Sequence, residues 1–224
     1  MTRAGAVIFT GADRYDGRWH DHAATSQRIA EIPGELGIDG RIRGTRPRTA
    51  GDLSGVDLVV PNLANGVPGP EDATDAEWAP IWRMFDEYVA GGGSLLVLHL
   101  SIAAFDADEA WSRRLGGAWV QGTSMHPPIA DSHVRVQAGA HPIVMDVVDF
   151  DVHDEMYSYL DVQPASSVLA THHYEGRDHA LAWATEAGGG RIVYDALGHG
   201  VEAYDSAGRV ALLKREVEWL IGGE

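Results

Sequence analysis

The chain has 224 residues, 45% of them hydrophobic, enough for one globular domain with a large core, so disorder is excluded as a general description. Its net charge is −16, and beyond residue 50 it carries 9 basic against 27 acidic residues; such a body repels phosphate backbones and anionic membranes, which excludes nucleic acid and membrane as partners. It has no cysteine, which excludes disulfides, thiolate nucleophiles and iron–sulfur clusters, and one lysine, Lys214, placed in a helix away from any glycine-rich loop. Residues 5–10, GAVIFT, predict a buried strand that ends at Gly11. A charged loop with aromatics follows, then a helix from about Thr25 through Ile29 and Ile32, which Pro33 is expected to kink or end. Residues 56–60, VDLVV, predict a second buried strand, with a loop beyond Pro61.

Thr74 and Glu77 form a capping-box pattern. They open a helix with Trp78, Ile81, Trp82, Phe85 and Val89 at helical spacing, stopped by Gly91–Gly93. SLLVLHL at 94–100 is the most hydrophobic strand. Asp106 and Glu109 repeat the capping pattern ahead of a helix whose Trp111 and Leu115 face inward. Short β segments follow at 133–137, 168–171, 180–184 and 191–195, and a closing helix runs through Val210, Leu213, Val217, Trp219 and Leu220 to Gly222. Strand–helix alternation in the first half argues for a mainly parallel central sheet, with extra β structure in the second half. No repeat or low-complexity linker divides residues 1–224, so a single domain is expected.

The chemistry is expected at the carboxyl ends of the strands, where open α/β sheets bind ligands. Gly11, His20 and His22 follow the first strand, and Asn62 and Asn65 the second. His99 ends SLLVLH, and His199 follows RIVYDAL. Alone, each of the chain's eleven histidines reads as a satisfied core or turn residue; their joint placement at strand ends favours a site. The run VHDEMY adds His153, Asp154, Glu155 and Tyr157, carboxylates beside imidazoles, which suits acid–base chemistry, a divalent ion or an exposed acidic loop. His126 and His141 each precede proline, and His172, His173 and His179 in a hairpin are weaker candidates. The sequence has no G-x-S-x-G elbow, no G-x-G-x-x-G after a strand and no H-E-x-x-H, so a metal site has to be assembled from distant segments.

Several stretches resemble the trehalose-utilisation (ThuA-like) family: GGGSLLVLHLSIAAF, MHPPI near 126, DEMY at 154–157 and HALAWATEAGGGRIVYDALGHGVEAY at 179–204, together with Thr10, Gly11 and a following histidine. The resemblance covers nearly the whole chain and is loose over 33–75. It implies a class I glutamine amidotransferase-like fold, a flavodoxin-like three-layer α/β sandwich. Amidotransferases of that fold carry a cysteine nucleophile at a strand-to-helix elbow; here His99 ends the corresponding strand, so thioester chemistry is excluded. The family is associated with sugar catabolism beside oxidoreductases that make 3-keto-sugars. The residues matching its recurrent polar positions are His99, His126, Glu155 and His199, with His20 or His22 at the N-terminal one. Leu100 and Ser101, where small residues are common, and Met156 inside the acidic motif depart from the pattern.

The expectation is a carbohydrate enzyme in which His99, His199, Glu155 and His126 are catalytic. The reaction is 3-keto-glycoside hydrolysis, elimination or isomerisation. Gly11, His20, His22, Asn62, Asp154 and Tyr157 contact the substrate, and Trp183 lines the pocket or the core. A second reading makes His99, His199 and Glu155 ligands of a divalent metal, zinc first, with an open fourth position. A third is a non-catalytic sugar-binding or subunit-contact module. Trp78 and Trp82, four apart on one helix, belong either to the core or to a homo-oligomer interface. The short apolar run at the N-terminus is no secretory signal, and with no apolar stretch of spanning length a cytoplasmic protein is expected.

Overall fold

The strand order is what gathers the polar residues. The computed structural model describes residues 4–105 and 109–222. Its main sheet has nine strands. In chain order they are β1 (Gly5–Thr10), β2 (Asp39–Gly44), β3 (Leu58–Asn62), β4 (Ser94–Leu98), then, beyond a two-residue β5 (Gly117–Ala118), β6 (Ala130–Val136) and β7 (Phe150–Asp154). After a short β8 (Asp161–Val162), which pairs only with β5, come β9 (Ser167–Tyr174), β10 (Arg177–Ala187) and β11 (Gly190–Asp195). The spatial order is β2-β1-β3-β4-β11-β10-β9-β6-β7. The first five are mutually parallel and every later neighbour is antiparallel. Counting reversals from β11, β7 again runs in the parallel direction, so its carboxyl end faces the same edge as those of β1, β4 and β11.

Among the described residues four helices complete three layers: α1 (His22–Glu35), α2 (Asp75–Ala90), α3 (Glu109–Leu115) and α4 (Ala207–Leu220). Lys214 of α4 holds Glu35 of α1 at 2.6 Å. Phe85 of α2 meets Trp111 of α3 with ring centroids 6.4 Å apart. The helices thus form two pairs around a flavodoxin-like sheet. The parallel strands β3 and β4 are buried along their whole length, as their unbroken apolar runs require. Trp78 and Trp183 are fully buried, and Trp183 donates to the Leu115 carbonyl at 2.6 Å, which settles it as core rather than pocket. Trp82, partly buried, donates to the Tyr15 hydroxyl at 2.7 Å.

The elements differ from expectation at identifiable places. Asp21 accepts from the Ala24 amide and caps α1, so the helix begins at His22, and it continues two residues past Pro33. The strand DGRIRG, β2, is hidden in the sequence by its two arginines, which are tolerated because β2 is an edge strand. The Thr74–Glu77 box is present, with each side chain on the other's backbone amide. In the second pattern Asp106 lies outside the described residues. The segment expected as one acidic cluster is split, because FDVHD is a strand with Phe150, Val152 and Asp154 inward and Asp151 and His153 outward.

Beneath the carboxyl edge lies a buried charged group. Arg209 of α4 pairs with Asp195 at the end of β11 at 2.7 Å, both side chains fully buried, and Glu216 is fully buried in the same group. One guanidinium cannot balance two carboxylates in a low-dielectric interior. Burial and the Asp195 charge therefore push the Glu216 carboxyl well above its ordinary value, against the pull of Arg209. A carboxyl raised on folding contributes stability below its unfolded value, near 4.5, and loses it as pH climbs towards the folded value. Glu216→Gln should therefore match the wild type in urea midpoint at about pH 4.5 and be the more stable at pH 8. The gap should widen by at most about 1.4 kcal/mol per pH unit. A gap that stayed constant across that range would show Glu216 to be ionised in the fold.

Candidate active site

Four side chains from four separate loops meet at one point of the carboxyl edge. His20 comes from the loop after β1, His99 from the turn after β4, Glu155 from just beyond β7 and His199 from the loop after β11. One ring nitrogen of each imidazole and one carboxylate oxygen all lie within 4.8 Å of one another.

His99 is at the centre. Its backbone takes the left-handed region, φ 47°, a conformation a β-carbon disfavours, which turns the chain sharply out of β4. The bend is held from both sides. The Tyr194 hydroxyl donates to the His99 carbonyl at 3.1 Å, and His99 Nδ1 lies 2.7 Å from the Ala196 carbonyl. A carbonyl can only accept, so Nδ1 carries a proton, and in the neutral ring it is Nε2 that presents a lone pair. That lone pair faces His20 Nε2 at 3.2 Å, the Tyr157 hydroxyl at 3.1 Å and Glu155 Oε2 at 3.5 Å. His199 Nδ1 is 3.3 Å from the same Glu155 oxygen.

The surroundings set the charges. Burial, with the neighbouring His99, His199 and His22, pulls His20 down to about 3, so it is a neutral imidazole. His199 is raised by its contact with Glu155, although burial opposes this. Burial pushes Glu155 up, but His199 and His99 outweigh it and hold the carboxyl well below its ordinary value. Burial, followed by the charges of Glu155 and Asp154, raises Tyr157, which stays a phenol.

Several expected contact residues turn out to build the site rather than line it. Asp154, at most 1% exposed, accepts from the Gly198 amide at 2.6 Å and the His199 amide at 3.0 Å. Its carboxylate therefore faces the protein and pins the loop that carries His199. Asn62 is buried too, its amide donating to Thr25 and Ser26 at 2.9 Å each. Gly11 is needed for space: a β-carbon there would stand 2.3 Å from the Tyr15 carbonyl and 2.7 Å from the His22 ring. His22, only 5% exposed, stacks behind His20 with centroids 5.5 Å apart. His126 stands outside the four-residue group, 39% exposed, with Nδ1 3.6 Å from the second Glu155 oxygen and 3.0 Å from the Pro127 carbonyl. Tyr157 touches His99 directly.

The sequence predicts His20 as a substrate contact; the structure puts one of its ring nitrogens in the donor group with the three expected metal ligands. The sequence assigns no role to the deeper residues. Ser101 accepts from the Leu63 amide at 2.7 Å and donates to the Pro61 carbonyl, tying the loops after β3 and β4. Arg209 donates to the Leu197 carbonyl, and Asp195 accepts from the Leu197 amide at 2.9 Å. The only sequence signal for Asp154 was the period-2 alternation of FDVHD. His172 and His179 serve the loop beneath Tyr157, the first at 3.1 Å from its carbonyl, the second accepting from the Tyr159 amide. His141, His153 and His173 lie elsewhere, on Ile143, Asp131 and Asp178. A cavity of about 770 Å³ at the opposite edge, between Leu53, Met84 and Tyr88, holds no histidine.

The trehalose-utilisation family model, ThuA, matches residues 6–220. The chain belongs to the ThuA family. The ThuA-like protein of Parabacteroides merdae is similar over 100% of this chain and 91% of its own, at 21% identity and a TM-score of 0.77. That of Bacteroides uniformis shares 17% identity with a TM-score of 0.72, over 97% and 91% of the two chains. A glutamine amidotransferase of Thermotoga maritima superposes with a TM-score of 0.62 at 12% identity over the full length of both. These likenesses establish the fold. No curated protein matches the chain. No helix among the described residues is long and apolar enough to cross a membrane.

The Asp154 clamp can be tested apart from any reaction. In Asp154→Asn an amide nitrogen replaces one carboxylate oxygen and must face a backbone N–H, leaving a buried donor unmet. The variant should lose about 1–3 kcal/mol in urea unfolding. An unchanged midpoint would mean that the loop at 198–199 is held by other contacts.

Proposed function

We propose that this ThuA-family chain is a carbohydrate-processing enzyme built around a divalent ion, zinc first, held by His20, His99, His199 and Glu155. The observation that carries this reading is the crowding around His99 Nε2. One lone pair, fixed in place by the bond from Nδ1 to Ala196, points at a second imidazole nitrogen and at a carboxylate oxygen. With His20 neutral, these groups offer more lone pairs than protons, and a cation at their centre satisfies all of them at once. Three imidazoles and a carboxylate form a donor set suited to zinc. The Nδ1–H to carbonyl bond of His99 is the kind of outer contact that orients a metal-binding histidine.

The substrate reading rests on the family's description and on the pocket surroundings. Trp19, 76% exposed, precedes His20 in the chain and is an aromatic of the kind on which sugar rings stack, with the Arg18 guanidinium 5.5 Å from its ring centroid. A keto-sugar has an acidic C–H beside its carbonyl. When bound, the ion would polarise that carbonyl oxygen. His126 is placed to move the proton: its Nδ1 lies against the Pro127 carbonyl and Glu155, which leaves Nε2 as acceptor. Glu155 links the two halves, one oxygen towards His99 and His199 and the other towards His126. Hydrolysis of a 3-keto-glycoside, elimination and isomerisation all begin with that proton.

Elemental analysis of the purified protein should find about one zinc or manganese ion per chain. His99→Ala and His199→Ala should each lose most of it, while His126→Ala keeps it. Assayed on 3-keto-glycosides, His126→Ala should fall about 100-fold or more in kcat. A metal-free wild type after growth and purification with added zinc would overturn the metal centre. A metal-loaded protein inert towards keto-sugars would leave a binding module.

A further inference from the structure

Tyr157 stands in an unusual position for a residue beside a metal ligand. Its hydroxyl lies 3.1 Å from His99 Nε2, the lone pair that the proposed cation would take. The ordinary outer contact of a metal-binding histidine is to its other nitrogen, and here that place is already filled by the Ala196 carbonyl at 2.7 Å. Tyr157 and a cation therefore compete for one pair of electrons.

The phenol cannot move aside when the cation wins. Its ring packs between His99, at a centroid distance of 4.5 Å, and Trp119, at 4.8 Å. Its carbonyl is 3.1 Å from His172 Nε2, and the next residue, Ser158, exchanges two backbone hydrogen bonds with Met125, at 3.1 and 2.7 Å. The side chain is 2% exposed, so water offers no general escape. Only the hydroxyl hydrogen is free to turn. A buried O–H that loses its acceptor costs free energy until it finds another.

We propose that Tyr157 is a substrate-contacting hydrogen-bond donor, released from His99 when the cation binds and redirected to a carbonyl or carboxylate oxygen of the ligand in the pocket. The inference rests on the metal-centre reading above and adds a residue and a ligand class to it. The donor is armed only in the loaded protein, and the oxygen it meets is the one on which charge builds when a carbonyl is polarised.

The test uses cobalt(II) as the metal probe, titrated against a chromophoric chelator, and acetate as the oxygen ligand, followed by the visible spectrum of the cobalt-loaded protein. Tyr157→Phe should bind cobalt at least as tightly as the wild type, by up to roughly tenfold, because the competing hydrogen bond is gone. The same variant should bind acetate roughly three- to tenfold more weakly. In the wild type, zinc should perturb the near-ultraviolet tyrosine absorption, and the variant should lack that change. Acetate affinity unchanged in the variant, cobalt affinity lowered, or no tyrosine perturbation on adding zinc would each overturn the role given to Tyr157 while leaving the metal centre standing. A wild-type protein that takes up neither cobalt nor zinc would overturn both.

Discussion

A buried carboxylate at the end of one strand, closed around two consecutive backbone amides of another loop, is the contact on which the site's geometry depends. Asp154 ends β7, the outermost strand of the sheet, and grips Gly198 and His199 beyond β11, the strand at the sheet's centre. Burying a carboxylate costs free energy, which raises Asp154 above its ordinary value despite His99 and the three amides that it meets. The return is positional: it folds the far edge of the sheet over the carboxyl edge. Glu155, the next residue, is thereby delivered to the three histidines.

The loop from Asp195 to His199 is wired along almost every backbone group. Asp195 and Asp154 take its amides, Arg209 and His99 take its carbonyls, and the Ala196 amide reaches Leu181 at 2.8 Å. Gly198 sits at φ 111°, where a β-carbon would lie 2.5 Å from the Tyr204 hydroxyl. A functional loop held this way acts as part of the scaffold, which is what a site needing sub-ångström placement requires.

The sequence made legible what periodicity and strand ends express. The apolar runs of β1, β3, β4 and β11, the capped α2 and the closing helix all follow from local pattern, and the rule that ligands gather at carboxyl ends placed His20, His99 and His199 on one edge. It was silent where tertiary contact overrides local pattern. β2 carries arginines because one of its edges is open. The pairing of Asp195 with Arg209 joins a strand end to a helix, and nothing in either segment announces it. The roles of Asp154 and Glu155 diverge because alternation buries the first and the strand's end frees the second, whereas adjacency in sequence suggested a single acidic cluster. The histidines divide the same way: His20, His22, His99, His126 and His199 lie in, beside or directly behind the site, while His172 and His179 are structural props that composition alone cannot tell from site residues.

The site's residues are spread across nearly the whole chain, and that has a consequence for synthesis. His20 leaves the ribosome early; His199 follows it by 179 positions, and Arg209, which steadies the loop of His199, comes later still. Until then the earlier imidazoles have no common geometry, since β11 has not yet entered between β4 and β10. The site is therefore completed only once β11 and α4 are both in place. A nascent chain that still lacks them presents scattered single side chains, and the cluster of imidazoles and carboxylate exists only in the completed fold.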